Sequence, residues 1–261
     1  MNELPPAALG NLTVIDLTRV VAGPYCASIL GDLGAKVIKI ENPIGGDDSR
    51  SYAPHVNGES TYFANLNRNK KGITLNLKHE KGKEIFKELV KNADIVIENY
   101  RPGVMDKLGL GYDELKKINN QLIYAAVSGF GSYGPYSARP GYDIISQAMG
   151  GLMSITGPPS SEPTRSGNAM GDILGGLNLT IGILAAVNAR TMLGHGQKVD
   201  VSLVDSLVSS LENAFQRYFD SGKIPKRNGN SYACCRHDIF RRGRCCSLRR
   251  NGKYVQSPVC P

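Results

Sequence analysis

The stretch LTVIDLTRVVAGPYCASILGDLGAKVIKIE, residues 12–41, decides the fold class. Its first seven residues, LTVIDLT (12–18), form an apolar, β-branched run that reads as a buried strand. Residues 23–34 read as a short helix that ends at a glycine, Gly34. AKVIKIE (35–41) alternates apolar and polar side chains, as a strand does. A polar loop rich in glycine follows, through Gly45, Gly46, Asp47, Asp48 and Arg50.

The same alternation continues downstream. GITLNL (72–77) is a strand. Residues 78–92 carry Ile85, Phe86, Leu89 and Val90 at helical spacing among lysines and glutamates, the pattern of an amphipathic surface helix. DIVIENY (94–100) and LIYAAVS (122–128) are strands, with two short helices between them. Helices are expected over 142–154 and 171–193, and a short strand at 198–202 leads into a helix reaching 219. Strands alternating with helices predict an α/β fold with an open, mostly parallel sheet. Ligands of such sheets sit outside the carboxyl ends of the strands. That directs attention to the loops starting near Thr18, Glu41, Leu77, Asn99 and Gly129.

Composition narrows the class further. The chain has 261 residues, 41% hydrophobic and 21% charged, with 30 glycines. This is ordinary for a globular protein and excludes collagen-like, coiled-coil and wholly disordered readings. The longest uncharged stretch, 173–189, contains Asn178, Asn188 and several glycines, so it reads as a buried helix rather than a membrane span. The N-terminal MNELPPAALG has neither a basic region nor an apolar core of a secretory signal, which sets the expectation of a cytoplasmic protein. The net charge of +8 is concentrated at the end of the chain. Residues 231–261 carry Arg236, Arg241, Arg242, Arg244, Arg249, Arg250 and Lys253 against one acid, Asp238. Five of the six cysteines lie there too: Cys234, Cys235, Cys245, Cys246 and Cys260. Adjacent cysteine pairs are poor chelators of a single tetrahedral ion, and the arginines lack interleaved aromatic residues, so neither zinc nor nucleic acid is expected.

Three local patterns bear on chemistry. Gly129, Gly131 and Gly134 spell G-x-G-x-x-G after a strand, but Pro135 and Pro140 oppose the helix that a dinucleotide turn needs at that point. The pattern reads instead as a loop shaped for close backbone approach to some other ligand. There is no G-x-S-x-G elbow, no phosphate-loop lysine and no spaced histidine pair. Asp172 is the strongest chemical candidate. It sits at the start of a long apolar helix among Gly171, Gly175 and Gly176. One reading is a capping acid that satisfies free N–H groups. The other is a carboxylate that a ligand approaches closely, which would explain the glycines.

Five motifs in register resemble the family III CoA-transferases. They are LTVIDLTRVVAGPYCASILGDLGAKVIKIENP (12–43), NRNKKGITLNLK (67–78), DIVIENYRPGVMDKLGLGY (94–112), VSGFGSYGPYSARPGYD (127–143) and GDILGGLNLTIGILAAVNARTMLGHGQKVDVSL (171–203). The likeness runs from about residue 9 to 227. It implies a Rossmann-like large domain, a smaller second domain and a homodimer of interlocked chains. It implies transfer of coenzyme A from an acyl-CoA thioester to a small carboxylic acid, with Asp172 as the nucleophile and no metal or redox cofactor; composition sets the expectation of neither nucleic acid nor membrane as partner. The residues that correspond to the family's CoA contacts are Val20, Val21, Ala22, Leu75, Asn76, Leu77, Lys78, Asn99, Arg101, Lys107 and Arg139. Asn42 stands where the family has a basic residue. Racemases of α-methylacyl-CoA share the superfamily, but the position of their basic histidine holds Tyr142, which favours the transferase. A CoA-binding fragment without activity is the other alternative. The change of composition near 228–232 sets the expectation of a large domain over 1–227 and an atypical tail over 228–261, left by a truncation or a disturbed reading frame, with the small domain largely missing.

Overall fold

The computed structural model describes residues 7–158, 161–223, 225, 248–250 and 253–255. The expected tail cysteines, and the boundary placed between 227 and 228, lie outside the described residues. In chain order, β1 (Thr13–Asp16), α1 (Ala22–Asp32) and β2 (Lys36–Glu41) form the first strand–helix–strand unit. A 3-10 turn (Asp48–Ser51), a hairpin of β3 (His55–Val56) and β4 (Glu59–Ser60), and α2 (Thr61–Leu66) lead to β5 (Lys70–Thr74). Next come α3 (Glu80–Lys91), β6 (Ile95–Glu98), α4 (Val104–Lys107), α5 (Tyr112–Ile118) and β7 (Ile123–Ser128). Then follow α6 (Asp143–Met149), α7 (Leu152–Ile155), α8 (Met170–Leu193), β8 (Lys198–Ser202) and α9 (Leu203–Ser210). The last elements are α10 (Ala214–Ser221), β9 (Leu248–Arg250) and β10 (Lys253–Val255).

The chain divides into two compact units. The first, residues 1–150 and 167–210, holds a six-stranded sheet in the order β5-β2-β1-β6-β7-β8, with every pair parallel. Counted along the chain, its strands run 3-2-1-4-5-6, the Rossmann order. The second unit, residues 151–166 and 211–261, contains α7, α10 and the antiparallel pair β9–β10.

Alternating strand residues build a core on each face of the sheet. Val14, Ile95, Ile97, Ile123, Ala125 and Val127 point to one face and pack with α1, α8 and α9 residues such as Cys26, Leu30, Leu179, Ile183 and Leu203. Ile15, Val96, Tyr124 and Ala126 point to the other and pack with Phe86 and Val90 of α3 and Leu115 of α5. Burial pushes the Cys26 thiol up to about 12, so it is an inert core residue.

The differences from the sequence reading have local causes. The strand expected at 72–77 lies at Lys70–Thr74, the residues that pair in register with Val37–Glu41 of β2. Asn76 then turns the chain by accepting the Lys78 N–H with its side chain. The segment read as a loop after β2 contains ordered elements, where Asp47 caps the 3-10 turn and Ser60 caps α2 through the Phe63 N–H. The single helix expected over 142–154 is broken at Gly151, with φ 89°, and that expected up to 219 is broken at Glu212, with φ 54°.

α8 is long and apolar enough to cross a membrane by length and composition alone. In this fold one face of it packs on the sheet and on α1, and the other leaves Leu177 and Ile181 exposed. The close approach of α1 depends on Gly176, where a Cβ would stand 2.7 Å from the Ala22 carbonyl oxygen. Gly176→Val should lower the unfolding free energy by about 2 kcal/mol through overpacking. A urea titration should show this as a lower midpoint with an unchanged slope.

Candidate active site

The strand order reverses between β1 and β6, and ligands of open α/β sheets bind at such a reversal. A cavity of about 130 Å³ lies there. Val20, Val21 and Ala22 from the β1–α1 loop, Asn99 and Arg101 after β6, Arg139, and Asp172 of α8 all line it. A second cavity of about 450 Å³ is lined by Leu75, Asn76, Leu77 and Lys78 after β5 and by Asn42 and Asp47 after β2. Arg19 and Tyr100 line both, so the two form one cleft along the carboxyl ends of the strands. Ten of the eleven residues named from the family likeness, and Asp172, therefore line this cleft. Lys107 does not. It is exposed on α4, while its neighbours Val104 and Leu108 reach the second cavity.

The loop after β6 organises the entrance. The Asn99 side chain accepts the Arg19 N–H at 3.0 Å and donates to the Arg19 carbonyl at 2.7 Å. Glu98 lies at the end of β6 and accepts the Tyr100 N–H at 2.7 Å and the Tyr124 hydroxyl at 3.2 Å. Burial pushes the Glu98 carboxyl up to about 7.

Asp172 is half-buried in the first turn of α8, with no hydrogen bond to its carboxylate among the described residues. Burial pushes its pKa up to about 7, and the neighbouring charge of Asp143 adds to the rise. Asp143 begins α6 and fixes the approach to α8. Its Oδ1 accepts the Gly171 N–H at 2.8 Å and its Oδ2 accepts from Gln147 Nε2 at 2.8 Å. Tyr62 faces the same region. Burial raises its hydroxyl pKa and the Asp172 charge raises it further. Its ring meets Tyr52 edge-on at 5.6 Å between centroids.

Two sequence readings are corrected here. Asp172 does not cap α8. The N-cap is Ala169, and Asp172 is the third helical residue. The surrounding glycines serve packing rather than ligand approach. A side chain at Gly171 would collide with Ser146 of α6, at Gly175 with Leu203 of α9, and at Gly176 with α1. The G-x-G-x-x-G pattern starts no helix, as its prolines imply, and Gly129 lines the first cavity while packing closely within the chain. A Cβ on Gly129 would lie 2.5 Å from the Gly141 Cα. Sequence reasoning missed Asp143, Tyr62 and Arg19. Asp143 directly follows Tyr142, but nothing in the motif shows that it reaches Gly171, 28 residues away.

The raised pKa of Asp172 fixes the sign of a stability effect. Its proton is held more tightly in the folded chain than the ordinary carboxyl value of 3.8. The stabilisation is fully present below that value and is lost as pH rises through about 7. Asp172→Asn should therefore flatten the fall in melting temperature across that interval. Asp143→Asn keeps the acceptor for Gly171 and removes the charge, so carboxyl ¹³C titration should show Asp172 titrating below its wild-type value.

The chain matches the model of CoA-transferase family III across residues 9–244. It is 48% identical over 229 residues to the acetyl-CoA:oxalate CoA-transferase of Acetobacter aceti, covering 87% of this chain and 59% of that protein. It is 45% identical over 225 residues to the succinyl-CoA:glutarate CoA-transferase of Mus musculus, covering 86% and 52%. The crystal structure of a CaiB/BaiF family protein from Brucella suis aligns with a TM-score of 0.82 at 45% identity, covering 85% of this chain and 60% of that one. The chain thus spans little more than half the length of these relatives. With the Rossmann strand order and the motifs of the cleft in register, this protein belongs to CoA-transferase family III.

Proposed function

We propose that the protein transfers coenzyme A from an acyl-CoA thioester to a small carboxylic acid, with Asp172 as the nucleophile. The observation that carries this reading is the Asp172 carboxylate, which lines the cleft at the reversal of the sheet with no hydrogen bond to tie it down among the described residues. A carboxylate that is desolvated and positioned against an activated acyl group becomes an effective nucleophile. Family membership supports the reaction class. The names of the relatives support a short acyl donor and a dicarboxylic acceptor.

In the proposed sequence, the Asp172 oxygen attacks the thioester carbonyl. The C–S bond breaks, leaving an acyl–aspartyl anhydride and CoA thiolate. The thiolate then attacks the aspartyl carbonyl, which releases the donor acid and forms an aspartyl-CoA thioester. The acceptor carboxylate attacks that thioester to give a new anhydride, and the thiolate recaptures the acceptor's acyl group. Asp172 is thereby regenerated, and no redox change occurs. The cleft suits a long thioester. The acyl end lies by Asp172, and the rest of the CoA runs past Arg19 and Tyr100 toward 75–78. Arg101, Arg139 and Lys78 supply positive charge for its phosphates. In this reading the protein works as a homodimer and needs no metal or redox cofactor.

The test is acyl-CoA exchange read by mass spectrometry, with acetyl-CoA or succinyl-CoA and a panel of free dicarboxylic and hydroxy acids. New acyl-CoA species are expected from the wild type. Asp172→Ala should abolish them while CoA binding, measured by calorimetry, persists. Exchange should rise with pH through about 7 as Asp172 ionises. Undiminished exchange by Asp172→Ala would exclude the aspartyl route.

A further inference from the structure

The turn at 19–22, which links β1 to α1 and lines the cleft, holds a shape that its own sequence opposes. Val20 has φ 69°. A β-branched side chain in the left-handed region is strained, and such strain persists only when the surroundings enforce it. Asn99 holds Arg19, as described above. The strained residue itself is held from a different loop. Asp47 Oδ1 accepts the Val20 N–H at 3.1 Å.

Asp47 is in turn immobilised. Its Oδ1 also accepts the Ser49 N–H at 2.9 Å and the Ser49 hydroxyl at 2.7 Å. Its own N–H donates to Glu41 Oε2 at 2.8 Å, and Arg50 pairs with the same carboxylate through two 2.7 Å bonds. Its Oδ2 lies 2.9 Å from Lys39 Nζ, with both side chains at most 2% exposed. Lys39 Nζ also donates to the Thr18 carbonyl at 2.7 Å, just before the turn. Two of these contacts reach the chain at the turn, Asp47 to the Val20 N–H and Lys39 to the Thr18 carbonyl, and the others hold Asp47 in place.

We propose that Asp47 is a positioning residue for acyl-CoA. Its carboxylate, held by Lys39, keeps the Val20 amide and hence the strained turn in the form that receives the ligand. Asp47 touches no reacting atom and acts through Val20. The proposal rests on the CoA-transfer reading for the identity of the ligand, but not for the geometry of the turn.

Two double variants isolate the contact. Asp47→Ala alone removes the ion-pair partner of the buried Lys39 and can fail to fold for that reason. Lys39→Met/Asp47→Ala removes both charges and the acceptor. Lys39→Met/Asp47→Asn removes both charges but keeps an acceptor oxygen facing Val20. Amide hydrogen exchange of the segment 18–22, measured without ligand, should be about 10-fold faster in the alanine pair than in the asparagine pair. Equal exchange in the two would overturn the proposal. CoA affinity by calorimetry should likewise be about 10-fold weaker in the alanine pair. Val90→Ala, a cavity in the core beneath α3, lowers stability without touching the turn and should leave the affinity unchanged. An equal loss of affinity in Val90→Ala at a matched melting temperature would reduce Asp47 to general stability and overturn the proposal. A wild type that binds no CoA would refute the CoA-transfer reading, and the exchange measurement would then decide the role of Asp47 alone.

Discussion

The carboxyl end of β1 depends on a buried ion pair. Asp16 is fully buried, and Lys70 reaches it from the edge strand β5 with an Nζ to Oδ2 distance of 2.9 Å. The same ammonium donates to the Pro24 carbonyl in α1 at 3.0 Å and to Asn67 Oδ1 after α2 at 2.9 Å. One charge thus ties together two non-adjacent strands, the first turn of a helix and the end of the segment 42–67. Burial alone would raise the Asp16 pKa, but Lys70, Lys39 and the Thr18 hydroxyl outweigh it and hold the carboxyl below its usual value. Burial likewise lowers the Lys70 pKa, with Asp16 opposing that fall. Such a pair contributes little against an apolar replacement, yet losing one partner leaves an uncompensated charge in the interior. Its use here is geometric, because it fixes where β1 stops and the turn into the cleft begins.

Asp16 and Asp172 show how one fold holds two carboxylates in opposite states. Both are withdrawn from water. Asp16 is faced by two ammonium groups and donor hydrogens, so its charge is welcome. Asp172 is opposed by burial and by a second acid, Asp143, and among the described residues no cation offsets them. The first arrangement anchors backbone. The second stores a carboxylate that gains from any event that disperses its charge, such as bond formation to an acyl carbon.

Much of the architecture was legible because strands and helices carry their periods in local sequence. The runs 12–18, 94–100 and 122–128 match β1, β6 and β7 closely, and the apolar spacing of 78–92 anticipates α3. The segment 42–66 was illegible because its elements are two to six residues long and are stabilised by single caps, Asp47 and Ser60, rather than by periodicity. The helix breaks at Gly151 and Glu212 were missed for a similar reason. A left-handed residue interrupts an apolar pattern that runs on past it. Motif resemblance brought the cleft residues within reach, with Lys107 as the exception, since it is exposed on α4 and lines neither cavity.

The sequence by itself determined the alternation of strands and helices, the parallel sheet and the family, because each is written in contiguous residues. It also singled out Asp172 as the residue with chemistry to offer. Only the tertiary structure decided why the glycines around Asp172 are there, since their contacts lie on α1, α6 and α9. It alone decided that Asp143 sets the charge beside Asp172 and that Asp47 holds a strained Val20. The physical reason is the same in each case. These effects depend on burial, close packing and hydrogen bonds between residues far apart in the chain, and none of these leaves a periodic trace in it.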